Sequence, residues 1–234
     1  MFTSPLFIIF IVFMALSWIV SAILKRRFEK YSHTPTNGGI SGAEIAQKML
    51  YDNGIYDVKV LSTGGHLSDH YNPANKTVNL SNEVFNGCNV AAAAVAAHEC
   101  GHAVQHARAY APLKLRSALV PLQNVSSRIL NVIFIAMFAG AILLPNLIPH
   151  NIALIVIIAC YGIFTLFAFI TLPVEINASQ RALVWLNNAG ITGGQSHVQA
   201  KDALKWAAYT YVVAALSALA TLIYYIMIFV NRRN

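Results

Sequence analysis

Charge is what this sequence has least of. Only 11% of its 234 residues are Asp, Glu, Lys or Arg, where an ordinary soluble domain carries roughly 25%. Hydrophobic residues make up 57%. So little charge cannot cover a water-facing globular surface, which excludes a soluble cytosolic domain and points to the bilayer. Cysteine is scarce too: Cys88, Cys100 and Cys160 form no CxxC pair, and Cys160 sits inside an apolar run. A disulfide framework is therefore excluded, which fits a reducing compartment. There is no internal repeat and no low-complexity tract. There is also no basic–aromatic patch of the kind that reads single strands. The formal net charge of +7 is accordingly read as membrane-topology charge, and nucleic acid is not an expected partner.

What the chain does have is four long apolar runs, each near the roughly 20 residues that span a hydrocarbon core as a helix. They cover residues 6–24, 129–147, 152–172 and 207–230. The first is read as a retained signal-anchor, because Lys25, Arg26 and Arg27 follow it and no positive charge precedes it. Pro145 and Pro149, with their asparagines, predict a tight hairpin between the second and third runs. Eleven Lys and Arg residues lie between runs one and two, three (Arg181, Lys201, Lys205) between runs three and four, and only Arg232 and Arg233 on the opposite side. The positive-inside rule then puts both large loops in the cytoplasm.

Within the first loop, Ser41-Gly-Ala-Glu44 predicts a capped helix start, and Asn53-Gly54 its end. Val58–Leu61 and Lys76–Leu80 alternate as half-buried strands do. Asn72-Pro73-Ala74-Asn75 is a turn between them, and Asp69 is read as a cap on that turn. The alanine-rich stretch from Val90 to His106 predicts a buried helix. The expected fold is therefore mainly α: one membrane-embedded domain over residues 1–234, with about four transmembrane helices. Its cytoplasmic part, the loop 25–128 and the segment 173–206, carries a short β element.

The chemistry centres on His98-Glu99-Cys100-Gly101-His102. HExxH on a helix sets two imidazoles on one face, four residues apart, where both can reach one Zn2+. The glutamate between them is placed as general base, taking a proton from a water that attacks a carbonyl. A catalytic zinc takes three protein ligands and keeps one open position. His106 is excluded as the third, since eight residues of helix rise about 12 Å, and Cys100 faces the other side. Glu175 is the better candidate: it is the sole charge between Ile129 and Gln180. An ionised carboxylate beside hydrocarbon is expensive unless paired or metal-bound, so pairing with Arg181 is the competing reading. His66 and His70 are weak candidates for a second metal. His197 and Asp202 are read as surface polar groups, and His70 or Tyr71 could stabilise an oxyanion.

Four segments together carry a family resemblance: Asp69-His-Tyr-Asn-Pro73, Leu80–Gly87, Ala96–Gln105 and Leu172–Ser179. The chain resembles the YugP-type neutral zinc metallopeptidases over nearly its whole length. The resemblance implies a multi-pass protein of the bacterial cytoplasmic membrane with a gluzincin-like site facing the cytoplasm. It also implies kinship with the HtpX heat-shock proteases and the CAAX prenyl endoproteases. Carried over, it gives His98, His102 and Glu175 as zinc ligands and Glu99 as base, so the cytoplasmic region is expected to be zincin-like, with 25–128 as the catalytic loop and 173–206 as the third-ligand segment. Ser179 departs from the pattern, because the HtpX-like relatives have aspartate four residues after the ligand glutamate.

The expected function is zinc-dependent hydrolysis of peptide bonds in protein or peptide substrates, by an enzyme whose other partner is the lipid bilayer. Two readings compete. An intramembrane protease would need HExxH inside a long apolar span, whereas here Asn89 and Arg108 flank it. A zinc-stabilised scaffold would need the ligands but not Glu99.

Overall fold

The structure, a computed structural model, describes residues 5–65, 68–142 and 149–232. It is mainly helical. In chain order it runs α1 (Pro5–Ser32), a 3-10 turn (Asn37–Gly39), α2 (Gly42–Asp52), β1 (Lys59–Thr63), β2 (His70–Asn72), β3 (Thr77–Ser81), α3 (Asn82–Asn86), α4 (Val90–Ala107), α5 (Ala111–Ile142), α6 (His150–Asn188) and α7 (Gly194–Asn231). His66 and residues 145–148 of the expected hairpin turn lie outside the described residues.

Among the described residues, four helices are long and apolar enough to cross a membrane: Pro5–Ser32, Ala111–Phe138, Asn151–Asn188 and Gly194–Asn231. None of the most apolar window of α1 is buried, and Phe10 and Trp18 stand well exposed. A contiguous apolar surface of that size belongs against lipid rather than water, and the chain is a membrane protein. The helices run further than the apolar runs that announced them. α5 begins at Ala111, well before Ile129, because Lys114, Arg116 and Arg128 interrupt the hydropathy but not the helix. Pro112 falls in its first turn, where no backbone donor is lost. α6 continues through Pro173 to Asn188, although that proline leaves the Phe169 carbonyl without its helical donor.

The chain divides into two compact units. The first comprises residues 1–18, 115–171 and 211–234. Its core gathers Leu130 and Ile133 of α5, Leu154, Ile157 and Cys160 of α6, and Tyr225 of α7.

The second unit comprises residues 19–114 and 172–210. Its three-stranded sheet has the order β1-β3-β2, with β1 parallel and β2 antiparallel to the central β3. β2 has only three residues and no run of alternating apolar side chains, which is why the sequence pattern missed it. α2 opens with the expected reciprocal cap: the Ser41 amide donates to Glu44 Oε2 at 2.7 Å and the Glu44 amide to Ser41 Oγ at 3.3 Å. Asp69 does something other than expected. Its carboxylate accepts from the Ser81 amide at 2.7 Å and from the Ser81 hydroxyl, because the antiparallel register brings the residue before β2 alongside the end of β3. The turn is held by Asn72 itself, whose Oδ1 accepts from the Ala74 amide at 2.9 Å.

The core of this unit is built around α4. Ile45, Met49, Leu80, Val84, Leu186 and Leu204 pack around its alanines. Small side chains on nearly every side let the neighbouring elements come close, so α4 is buried along most of its length. Asn89 caps its first turn through Oδ1, which accepts from the Ala92 amide at 2.9 Å. Replacing Asn89 with Ala should therefore cost about 1 kcal/mol, read as a lower melting temperature of the purified protein in detergent.

Candidate metal centre

The α4 pattern puts His98 and His102 one turn apart on the same face, with ring centroids 4.8 Å apart and planes at 86°. That face lies against the part of α6 that follows Pro173. The two helices meet at Gly101, where an added Cβ would sit 2.6 Å from the Ala178 carbonyl oxygen. Only glycine allows this approach, and it brings Glu175 to the histidines. Glu175 Oε2 lies 3.2 Å from His98 Nε2 and 3.4 Å from His102 Nε2. All three ligand atoms fall within 4.8 Å of one another.

The donor set fits a zinc ion. Tetrahedral zinc with bonds of roughly 2.0–2.2 Å separates its ligand atoms by about 3.4 Å, which both nitrogen–carboxylate distances match. Glu175 is buried, and a buried carboxylate needs a cation or donors to offset its lost hydration. At His102, burial works against a positive charge. The hydrogen bond to Glu175, together with the Glu99 and Glu175 carboxylates, outweighs it and raises the imidazole pKa above its ordinary value.

Each histidine is held from behind. His98 Nδ1 is 3.0 Å from Ser179 Oγ, so the serine that departs from the HtpX-like pattern still touches the first histidine. His102 Nδ1 is 3.0 Å from Gln105 Oε1. Glu99 is buried, and its Oε2 accepts from the Tyr71 amide at 3.0 Å. That contact ties the carboxylate to β2. It is a main-chain interaction from a strand with no sequence signature, and only the fold reveals it.

The remaining candidates lie elsewhere. His106 takes no part in the cluster; its Nδ1 is 2.7 Å from the Tyr71 hydroxyl. Cys100 points to the opposite side, toward the Ala46 carbonyl at 3.5 Å, and burial pushes its thiol far above the usual range. His70 is engaged by the Ser68 carbonyl and Asn79. His197 bonds Thr192. Asp202, expected as a surface polar group, accepts from the Tyr31 hydroxyl at 2.6 Å and pairs with Arg27, joining α1 to α7 within this unit. Arg181, the alternative partner considered for Glu175, donates from Nε to Asn177 Oδ1 at 2.7 Å.

The model of the family described as "Putative neutral zinc metallopeptidase" matches residues 6–230. The chain belongs to that family. It is 39% identical over 221 residues to "Putative membrane protease YugP" of Bacillus subtilis (strain 168), covering 94% of this chain and 95% of that protein. No solved structure matches. That description names zinc, and His98, His102 and Glu175 form a group that could hold a metal ion.

The closeness of α4 and α6 can be tested directly. Gly101→Ala gains up to about 1 kcal/mol of helix propensity but pushes a methyl into backbone that cannot retreat, at a cost of about 1–3 kcal/mol. The net outcome expected is a lower melting temperature and weaker metal binding in a chelator competition.

Proposed function

We propose that this protein is a zinc-dependent endopeptidase of the bacterial cytoplasmic membrane, and that it hydrolyses peptide bonds of membrane-associated or misfolded proteins at the cytoplasmic face. The observation that carries the reading is the convergence of two helix-borne imidazoles and a distant buried carboxylate, with a second carboxylate, Glu99, held beside them. Ligands alone would suffice for a structural site. A buried glutamate next to the first histidine in sequence, bonded to a backbone amide, is what hydrolysis needs in addition.

In this mechanism His98 and His102 present their Nε2 atoms, and Glu175 adds an anionic oxygen. A bound zinc supplies Lewis acidity, lowering the pKa of water toward 7 and polarising a carbonyl. Glu99 takes the proton of the attacking water and passes it to the leaving amine. The Tyr71 amide occupies one of its oxygens and so orients the carboxylate. The cytoplasmic orientation rests on the distribution of lysine and arginine.

Cleavage of unfolded casein by the purified, zinc-loaded protein in detergent tests the assignment. Glu99→Gln should keep its zinc and lose activity by about 10²–10⁴-fold. Glu175→Ala should lose zinc and activity together. Undiminished cleavage by Glu99→Gln removes Glu99 as base, and zinc bound by a wild type that cuts nothing favours a scaffold. Orientation has its own probe in Cys88, which is exposed while Cys100 and Cys160 are buried. A membrane-impermeant maleimide should label Cys88 only after cells are opened, and labelling of intact cells would invert the topology.

A further inference from the structure

Behind His102 runs a chain of side chains whose polarity is fixed at both ends. The two ends of a carboxamide differ only in which one donates, so neighbours of unambiguous polarity must decide its orientation. Two such neighbours exist here. The Val174 carbonyl can only accept, and Gln105 Nε2 lies 2.8 Å from it. The Arg181 Nε–H can only donate, and Asn177 Oδ1 lies 2.7 Å from it. Asn177 therefore turns its oxygen toward Arg181, and that same oxygen is 3.0 Å from Gln105 Nε2. Both N–H groups of Gln105 are thereby committed, to Val174 and to Asn177. The only atom Gln105 has left for His102 is Oε1, an acceptor, 3.0 Å from Nδ1. His102 Nδ1 must carry a proton, so in the neutral ring Nε2 is the lone-pair nitrogen facing the cluster.

Gln105 is fully buried, which removes water as an alternative partner. The other histidine has no such constraint, because the Ser179 hydroxyl at His98 Nδ1 can donate or accept. The constraint comes from outside the cluster: Arg181 is only half-buried and lines a cavity of about 400 Å³ with Arg108, Asn53 and Trp185.

We propose that Gln105, Asn177 and Arg181 are positioning residues that hold His102 in the Nδ1-protonated tautomer and so set the affinity and geometry of the metal centre. The proposal rests on the metal-binding part of the function proposed above. Partners behind a ligating histidine fix its tautomer and ring orientation, and their loss typically weakens metal binding about 10–100-fold.

The test compares Asn177→Leu with Asn177→Asp. Leucine keeps the volume and removes the acceptor. Aspartate keeps an oxygen that accepts from both Gln105 and Arg181. Zinc affinity is read by chelator competition, and ligand geometry by the visible absorption of the cobalt-substituted protein, with melting of the metal-free protein as the check on folding. The expected result is that Asn177→Leu weakens zinc by about 10–100-fold and alters the cobalt spectrum, while Asn177→Asp stays close to wild type. If Asn177→Leu does not fold, Arg181→Met removes the donor that orients Asn177 and should shift both readouts in the same direction. Wild-type affinity and spectrum in the folded acceptor-free variant would overturn the proposal, as would an aspartate variant as weak as the leucine one. A wild type that binds zinc without cutting any substrate would sink the peptidase reading and leave this one standing. A wild type that binds no zinc would sink both.

Discussion

The centre depends on one close approach. α4 carries His98, Glu99 and His102, and α6 carries Glu175. They come together because Gly101 has no side chain where the Ala178 carbonyl passes. A single methyl there would separate the helices. Three further contacts bridge the two helices beside that crossing: His98 with Ser179, His102 with Glu175, and Gln105 with Val174 and Asn177. On α4 the participants recur at 98, 101, 102 and 105, and on α6 at 174, 175, 178 and 179. Both sets follow the helical period, so each helix offers one face and the crossing brings the two faces together.

Burying Glu175 at that crossing has a cost. A carboxylate removed from water loses hydration worth several kcal/mol and keeps its charge only if donors or a cation replace the water. Two imidazoles do so here, and the raised pKa of His102 is the other side of the same interaction. The cluster is thus arranged to hold positive charge at one point, whether a proton or a metal ion. This links the isolated charge in an apolar stretch of sequence to the geometry of the centre.

How far the sequence could be read follows from which features are local. The HExxH face needs only a helix, and the alanines of residues 91–97 with the Asn89 cap provide it, so both histidines could be placed from spacing alone. Glu175 was visible because it stands alone between Ile129 and Gln180. The four described helices long and apolar enough to cross a membrane are visible as apolar runs, but their ends are not. Helix continues through Lys114 and Arg116 at the start of α5, and through Pro173 into residues 174–188, where hydropathy falls but helix-forming residues persist. Contacts that depend on pairing between distant segments stayed hidden. The β2 strand is three residues long, so neither its register nor the Tyr71 amide at Glu99 had a pattern to announce it. Asp69 was assigned to the nearest turn by proximity along the chain, whereas the antiparallel register takes it to Ser81.

The two histidines of the motif look equivalent in sequence, and their surroundings make them different. His98 rests on a hydroxyl that accommodates either tautomer. His102 rests on a carboxamide whose orientation is dictated by a backbone carbonyl and a guanidinium. Two identical histidines thus become one adjustable and one fixed arm, and both side chains are largely buried. Where water is scarce it cannot correct a misdirected nitrogen, and an unpaired buried donor or acceptor costs about 1–3 kcal/mol. The two surroundings avoid that cost in different ways. The Ser179 hydroxyl turns to suit whichever nitrogen of His98 carries the proton, whereas the Gln105 oxygen accepts only from a protonated His102 Nδ1.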